Sequence, residues 1–335
     1  AANGGVQVPR IESTRRAALA GVLAAPFIIG RAQAQGVTLR AADVHPDGYP
    51  TIEGVKQLGR LLQERTGGRI RIQVFHSRQL GDEKDTLEQT RLGVIDMTRV
   101  NTAPLNNLVP ETLVAGLPFL FRDTEHMQRT MDGPIGDEIG RGCLPHGLVA
   151  LCYYDAGARC FYTRARPARA PEDLRGMKIR VQQSDMWVAM MRAFGANATP
   201  LPYGEVYSAL QTGVVDGAEN NFPSYLTARH FEVAKHYAMT EHSLTPEILA
   251  MSKRSFDRLP RADQEIVRQA ARESVPVMRE AWVKMEQDAR RQVEAGGTQV
   301  VAADKEAFAK LVQPVYDQFV RDAKLRGLVE RIRAA

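Results

Sequence analysis

Residues 37–76 read VTLRAADVHPDGYPTIEGVKQLGRLLQERTGGRIRIQVFH, and the spacing of apolar residues changes twice along them. In RIRIQVFH, residues 69–76, Ile70, Ile72 and Val74 share one side while Arg69, Arg71 and Gln73 share the other. That two-residue period is the signature of a half-buried strand. Before it, TIEGVKQLGRLLQERTG carries apolar residues near helical spacing and stops at Gly67-Gly68, where glycine ends a helix readily. VTLRAADV, at the start, is a second strand. Strand, helix and strand in this order predict a βαβ unit.

The alternation continues downstream. Leu80-Gly81-Asp82-Glu83 opens a helix closed by Gly93, ahead of the short strand VIDMTRV. LVALCYYD, KIRVQ, EILAMSK and TQVVAA are further strand candidates, separated by helices such as SDMWVAMMRAFG and YGEVYSALQTG. This predicts an α/β protein with largely parallel sheets, whose ligand site lies off the carboxyl ends of the strands. The longest helical stretch is ADQEIVRQAARESVPVMREAWVKMEQDARRQVEAGG, residues 262–297. Pro276 kinks it or divides it in two, because proline removes one intrahelical bond and crowds the preceding turn. Undivided, it would be on the order of 50 Å long and could run along two domains. The chain has no internal repeat and no low-complexity linker, which favours domains joined by crossing strands.

At 335 residues there is room for two domains, and 44% hydrophobic with 25% charged residues is ordinary for a globular protein. The formal charge of +5 is concentrated at the start: residues 1–34 hold four Arg and one Glu, and the remainder has 40 basic against 38 acidic side chains. A body this near neutrality gives no electrostatic reason to expect nucleic acid or an anionic membrane as partner. Residues 13–36, STRRAALAGVLAAPFIIGRAQAQG, order a basic pair (Arg15, Arg16), an apolar run from Ala17 to Ile29 and a small-residue site at Ala32-Gln33-Ala34. This is the form of a secretory signal, too short for an ordinary membrane span. Ser13-Thr14-Arg15-Arg16 suits twin-arginine export, and an ordinary Sec signal with adjacent arginines is the alternative. No second apolar segment reaches membrane-spanning length, so stable membrane insertion is not expected. Cys143, Cys152 and Cys160 lack a CxxC pair and are odd in number, so at least two are expected to be buried small hydrophobes.

Beyond residue 34, HExxH, GxSxG, GxGxxG and the phosphate-loop pattern are all absent, and His230, His236 and His242 do not have zinc spacing. No metal or cofactor is expected. The densest polar cluster is GVVDGAENNFPSY, residues 213–225, where Asp216, Glu219, Asn220 and Asn221 fall within six positions. Two carboxylates beside two amides, with no partner base, suit holding a polar ligand better than proton transfer. Arg159 follows one strand and Arg180 ends another. Two such arginines can converge on one carboxylate, gripping it by bidentate forks.

Residues 154–225 hold runs that, with two runs upstream, resemble a known family. PEDLRGMKIR (171–180), PYGEVY (202–207) and VDGAEN (215–220), together with QLGDE (79–83) and GVIDM (93–97), look like the DctP-type solute-binding proteins of tripartite ATP-independent periplasmic (TRAP) transporters. The resemblance covers nearly all of residues 37–330. It implies a two-domain α/β fold with discontinuous domains, mixed sheets and a long bridging helix. It also implies a periplasmic location, no catalysis, an organic-acid ligand and docking on small and large membrane subunits. Allocated on that pattern, residues 36–157 with 246–285 form one domain and 158–245 with 286–335 the other. Arg180 matches the family's carboxylate grip and Arg159 its support; Asn220 bonds the same group and Tyr203 packs beside the ligand. The opened polar cluster then presents Asn220 to the ligand, with Asp216 and Glu219 fixing turn and hinge. The runs His45-Pro46, Tyr49-Pro50-Thr51, YDAGAR (154–159), RVQQSD (180–185) and Glu219-Asn220-Asn221 resemble the subgroup taking the hexuronates glucuronate and galacturonate. Sugar hydroxyls would be met by His45, Glu83, Asn101, Gln182, Asp185 and Asn221. Two other readings share these residues: a secreted sugar-acid lyase or isomerase using Asp216, Glu219 and His242, and a periplasmic sensor module for an organic acid.

Overall fold

The computed structural model describes residues 36–335, together with Gly4. The export signal read in residues 1–34, with Arg15-Arg16 and Ala32-Gln33-Ala34, lies outside the described residues. The predicted βαβ unit is present: β1 (Val37–Ala42) and β2 (Ile70–Phe75) pair in parallel from Val37 opposite Ile70 to Ala42 opposite Phe75, joined by the helix Pro50–Arg65. The remaining strands are β3 (Met97–Asn101), β4 (Leu148–Tyr154), β5 (Arg159–Thr163), β6 (Lys178–Val181), β7 (Asn197–Pro200), β8 (Gly217–Asn220), β9 (His236–Ser243), β10 (Glu247–Ser252) and β11 (Gln299–Ala302). They build two sheets, ordered β2-β1-β3-β10-β4 and β11-β9-β5-β8-β6-β7.

Both sheets are mixed, not largely parallel. β10 runs antiparallel to β3 and β4, and β5 runs antiparallel to β8 and β9. The reason lies in the connections. A helical crossover returns the chain to the same sheet and forces parallel strands, but β4 passes directly into β5, and β9 into β10, across residues 155–158 and 244–246. A strand entering the opposite sheet this way is free to run against its new neighbours.

Pro276 does not divide the long helix, which runs unbroken from Arg261 to Ala295. Its first two-thirds bury Val267, Ala270, Val275, Met278 and Trp282 with Leu39, Ile52, Leu58 and Tyr154 in a core on the first sheet. Further on, Ala289 and Val293 enter a core with Tyr162, Val206 and Tyr237 on the second. The final helix is Ala323–Ala334. It packs on helices Pro110–Val114 and Pro134–Arg141, which lie with the first sheet. His126 Nε2, 2.7 Å from the Ile332 carbonyl oxygen, anchors its end. All three cysteines are free and buried, and burial pushes each thiol up to about 12.

Candidate functional site

The two sheets present their carboxyl ends to a common cleft. From the first come the residues after β1, the end of β3 and, because β10 is antiparallel, its first residue; Glu247 pairs opposite Asn101. The second supplies Arg159 at the start of β5, Arg180 within β6 and Asn220 at the end of β8, with Cys160 opposite Asn220. A narrow cavity is lined by Val44, His45, Glu83, Arg99, Asn101, Arg159, Arg180, Gln182, Tyr203, Asn220, Ser224 and Glu247. A second cavity, about 250 Å³ and bordered by Arg78, Tyr207 and His230, shares Val44 and Tyr203 with it.

The polar stretch at residues 213–225 is not a loop. Its middle is β8, inside the second sheet, and Asn221 caps the following helix, Phe222–Thr227. Gly217 makes this possible: a Cβ there would lie 2.7 Å from the Tyr162 carbonyl oxygen and the Thr163 methyl group. Backbone contact this close admits only glycine.

The two predicted arginines have different surroundings. Arg159 donates through Nε to Glu219 Oε2 at 2.6 Å and through Nη2 to Oε1 at 2.9 Å, with both side chains buried. Burial opposes the charged form of Arg159, but Glu219 outweighs it and raises the pKa. Burial likewise works to raise the Glu219 carboxyl, and Arg159 with His242 draws it below the usual range. Arg180, 3% exposed, donates from Nε and Nη2 to a single acceptor, the Leu201 carbonyl, at 3.0 and 2.7 Å. It faces no carboxylate within ion-pair distance among the described residues, and burial lowers its pKa. A buried guanidinium with only a carbonyl partner calls for an anion.

Opposite them stands Arg99, whose guanidinium meets three carboxylates: Asp43, Glu83 at 2.8 Å and Glu247 at 2.6 Å. Burial works to raise Asp43, but Arg99 holds it below the ordinary range. Glu83 is pushed up by burial, with Arg99 opposing and Glu247 adding to the rise. Its Oε1 accepts from Arg99 and from the Asn101 backbone at 2.9 Å. His45 stacks on Tyr49 with ring centroids 3.7 Å apart, and burial depresses it to about 3, so its ring is neutral. His45 Nδ1, Arg99 Nε and Gln182 Oε1 are buried without a protein partner among the described residues. Such atoms are what a polyhydroxylated ligand satisfies.

Of the ten residues expected at the site, eight line the cleft: His45, Glu83, Asn101, Arg159, Arg180, Gln182, Tyr203 and Asn220. Asp185 does not; it is exposed at the start of helix Asp185–Ala193, its backbone N–H on Asn107 Oδ1. Asn221 is spent on structure, accepting from the Ser224 N–H and donating to the Ala156 carbonyl, both at 2.8 Å. Sequence reasoning missed Arg99, Glu247 and Ser224, and Asp43 behind them. The available signal was a single charge within otherwise apolar strands, Arg99 in MTRVN and Glu247 in EILAMS. Of the trio Asp216, Glu219 and His242, Asp216 is taken up by the Lys178 N–H at 2.8 Å, while His242, stacked on Phe161, has Nε2 3.5 Å from Glu219 Oε2, the carboxylate that Arg159 holds.

Residues 41–322 match the DctP family, described as bacterial extracellular solute-binding protein, family 7. A solute-binding protein of Chromohalobacter salexigens is 38% identical over 323 residues, covering 96% of each chain. Among solved structures, a TRAP periplasmic solute-binding protein from Bradyrhizobium sp. BTAi1, in complex with α/β-D-galacturonate, is 55% identical with a TM-score of 0.88. The match covers 89% of this chain and 100% of that one. A TRAP periplasmic solute-binding protein from C. salexigens DSM 3043, with bound D-glucuronate, is 38% identical with a TM-score of 0.86, over 88% of this chain and 99% of that one.

Proposed function

The chain belongs to the DctP family of TRAP solute-binding proteins, and from that premise we propose that it captures a hexuronate, D-galacturonate or D-glucuronate, and delivers it to TRAP membrane subunits. The observation that carries the ligand class is Arg180: a buried guanidinium without a carboxylate among the described residues, in a cleft lined by polar atoms that have no partner among them. The ligand's carboxylate completes that pair. Arg159, oriented by Glu219, adds positive charge beside it, and Asn220 donates from its amide, whose oxygen already accepts the Asn221 N–H at 2.9 Å. His45, Glu83, Asn101 and Gln182 meet the ring hydroxyls, while Tyr203 packs against the sugar at the border of the outer cavity. Asp185 and Asn221 have no part in this contact set. Residues 155–158 and 244–246 act as the hinge of two discontinuous domains, and closure over the acid strengthens every charge-assisted bond inside.

Capture differs from conversion in a direct way: a uronate incubated with the protein is recovered unchanged. A thermal-shift screen against uronates, short dicarboxylates, sialic acid and neutral sugars tests the ligand. Millimolar ligand over a micromolar site stabilises by about 4 kcal/mol, a shift of several degrees. A shift with galacturonate or glucuronate and none with galactose or glucose is expected; a shift confined to dicarboxylates would overturn the hexuronate assignment.

A further inference from the structure

The two walls of the cleft carry different charge. On the second sheet, Arg159 and Glu219 neutralise each other, which leaves Arg180 as the cation without a carboxylate among the described residues. On the first, one guanidinium, Arg99, is shared among Asp43, Glu83 and Glu247, a surplus of carboxylate. Arg78, a further cation nearby, lies beyond Tyr203 in the outer cavity.

The three carboxylates are not equivalent. Asp43 is saturated: Oδ1 takes Arg99 and the His45 N–H, and Oδ2 takes Thr51 Oγ1 at 2.6 Å. Glu247 has Arg99 on Oε2 and the Asn101 amide on Oε1 at 3.3 Å, a long bond. Glu83 places both of its donors on Oε1, so Oε2 has no protein donor among the described residues. An acceptor open to the cleft takes a hydroxyl proton. It repels a carboxylate, which has no proton to give.

Resting on the hexuronate reading, we propose that Glu83 and Glu247 are specificity residues that refuse a second carboxylate. The cleft then takes sugar acids with one carboxylate and rejects the aldaric acids, the matching six-carbon diacids. The single carboxylate binds at Arg180, and the hydroxyl-bearing remainder faces Glu83. A diacid held the same way sets its second carboxylate against Glu83 Oε2, a like-charge contact in a buried site, where the penalty in affinity reaches about 100-fold or more.

Isothermal titration at pH 8 measures galacturonate against galactarate and glucuronate against glucarate. Wild type should bind the uronate at least about 100-fold more tightly than the diacid. In Glu83→Gln, and separately in Glu247→Gln, that ratio should narrow at least about tenfold. Each variant carries a neutral side chain of the same shape, and its melting temperature reports whether it is folded. Diacid binding within tenfold of uronate in wild type overturns the inference. So does a ratio that stays put in the folded variants, since the discrimination then comes from ring against open chain. Absence of uronate binding to wild type overturns the functional reading itself, and this inference with it; uronate binding without selectivity overturns only the latter.

Discussion

Arg159 and Arg180 are both buried guanidinium groups, from the strands β5 and β6 on either side of β8, yet removing them should damage different properties. Arg159 is half of a dry ion pair. In Arg159→Ala, Glu219 keeps its charge with no strong partner, and such truncations cost about 3–5 kcal/mol of folding stability. Arg180 has no carboxylate to abandon, so Arg180→Ala should leave the unliganded fold far less disturbed while binding weakens by roughly 2–5 kcal/mol. Arg180→Lys should also bind poorly, because an ammonium cannot reproduce the planar fork. Urea unfolding of the unliganded variants and titration with galacturonate separate the two; equal losses of stability would refute the division. The sequence made these arginines legible because each follows a recognisable strand or ends one. It hid Arg99 and Glu247, since both sit inside buried strands whose apolar neighbours read as core. Asp185 was read into the site because the run RVQQSD (180–185) resembles that of the hexuronate subgroup. The helix it starts carries it away from the cleft and into solvent.

At the scale of elements, the first βαβ unit was legible because period two and period 3.6 succeed each other cleanly over residues 37–76. β5, β7, β8 and β9 were not. β8 is GAEN, four residues without apolar alternation, and its strand conformation comes from β5 and β6 on either side, not from its own composition. The grouping of residues 246–285 with the first sheet was expected from the family resemblance, but the close packing of the long helix Arg261–Ala295 was not legible, since it depends on close approach at Gly54. A Cβ at that position would lie 2.8 Å from Tyr154 Cζ and 3.0 Å from Met278 Cβ. The helix Pro50–Arg65 therefore touches β4 and the long helix at one point, with glycine required by space and not by dihedral angle. Gly54→Ala gains helix propensity yet forces these elements apart; overpacking of this kind costs about 1–3 kcal/mol. A lowered midpoint in urea is expected. An unchanged or raised midpoint would mean that Tyr154 can swing aside without loss.

For the whole molecule, closing polar walls over a small acid has a consequence for acid stability. Two histidines that border the cavities, His45 and His230, are buried and depressed from 6.5 to about 3. Burial is the largest cause for both, with Arg99 next for His45 and Arg180 for His230. The unfolded chain therefore takes up these protons first. Stability is complete above about pH 6.5 and is lost as pH falls from there toward 3. Each histidine contributes about 1.4 kcal/mol per pH unit within that window. Glu83 works in the opposite sense, since its raised pKa favours the folded state as it is protonated, but one carboxyl does not offset two imidazoles over the upper part of the range. His230 hydrogen-bonds Tyr162 OH through Nδ1 at 2.8 Å, a contact that glutamine retains in part without titrating. Urea unfolding of the unliganded protein at pH 7.5 and pH 5 should show wild type losing stability and His230→Gln losing about 1.4 kcal/mol less per unit. If the two proteins differ by the same amount at both pH values, His230 does not stay neutral in the fold. Below about pH 6.5, Arg180 would then have a protonated imidazole near it as well as the paired Arg159.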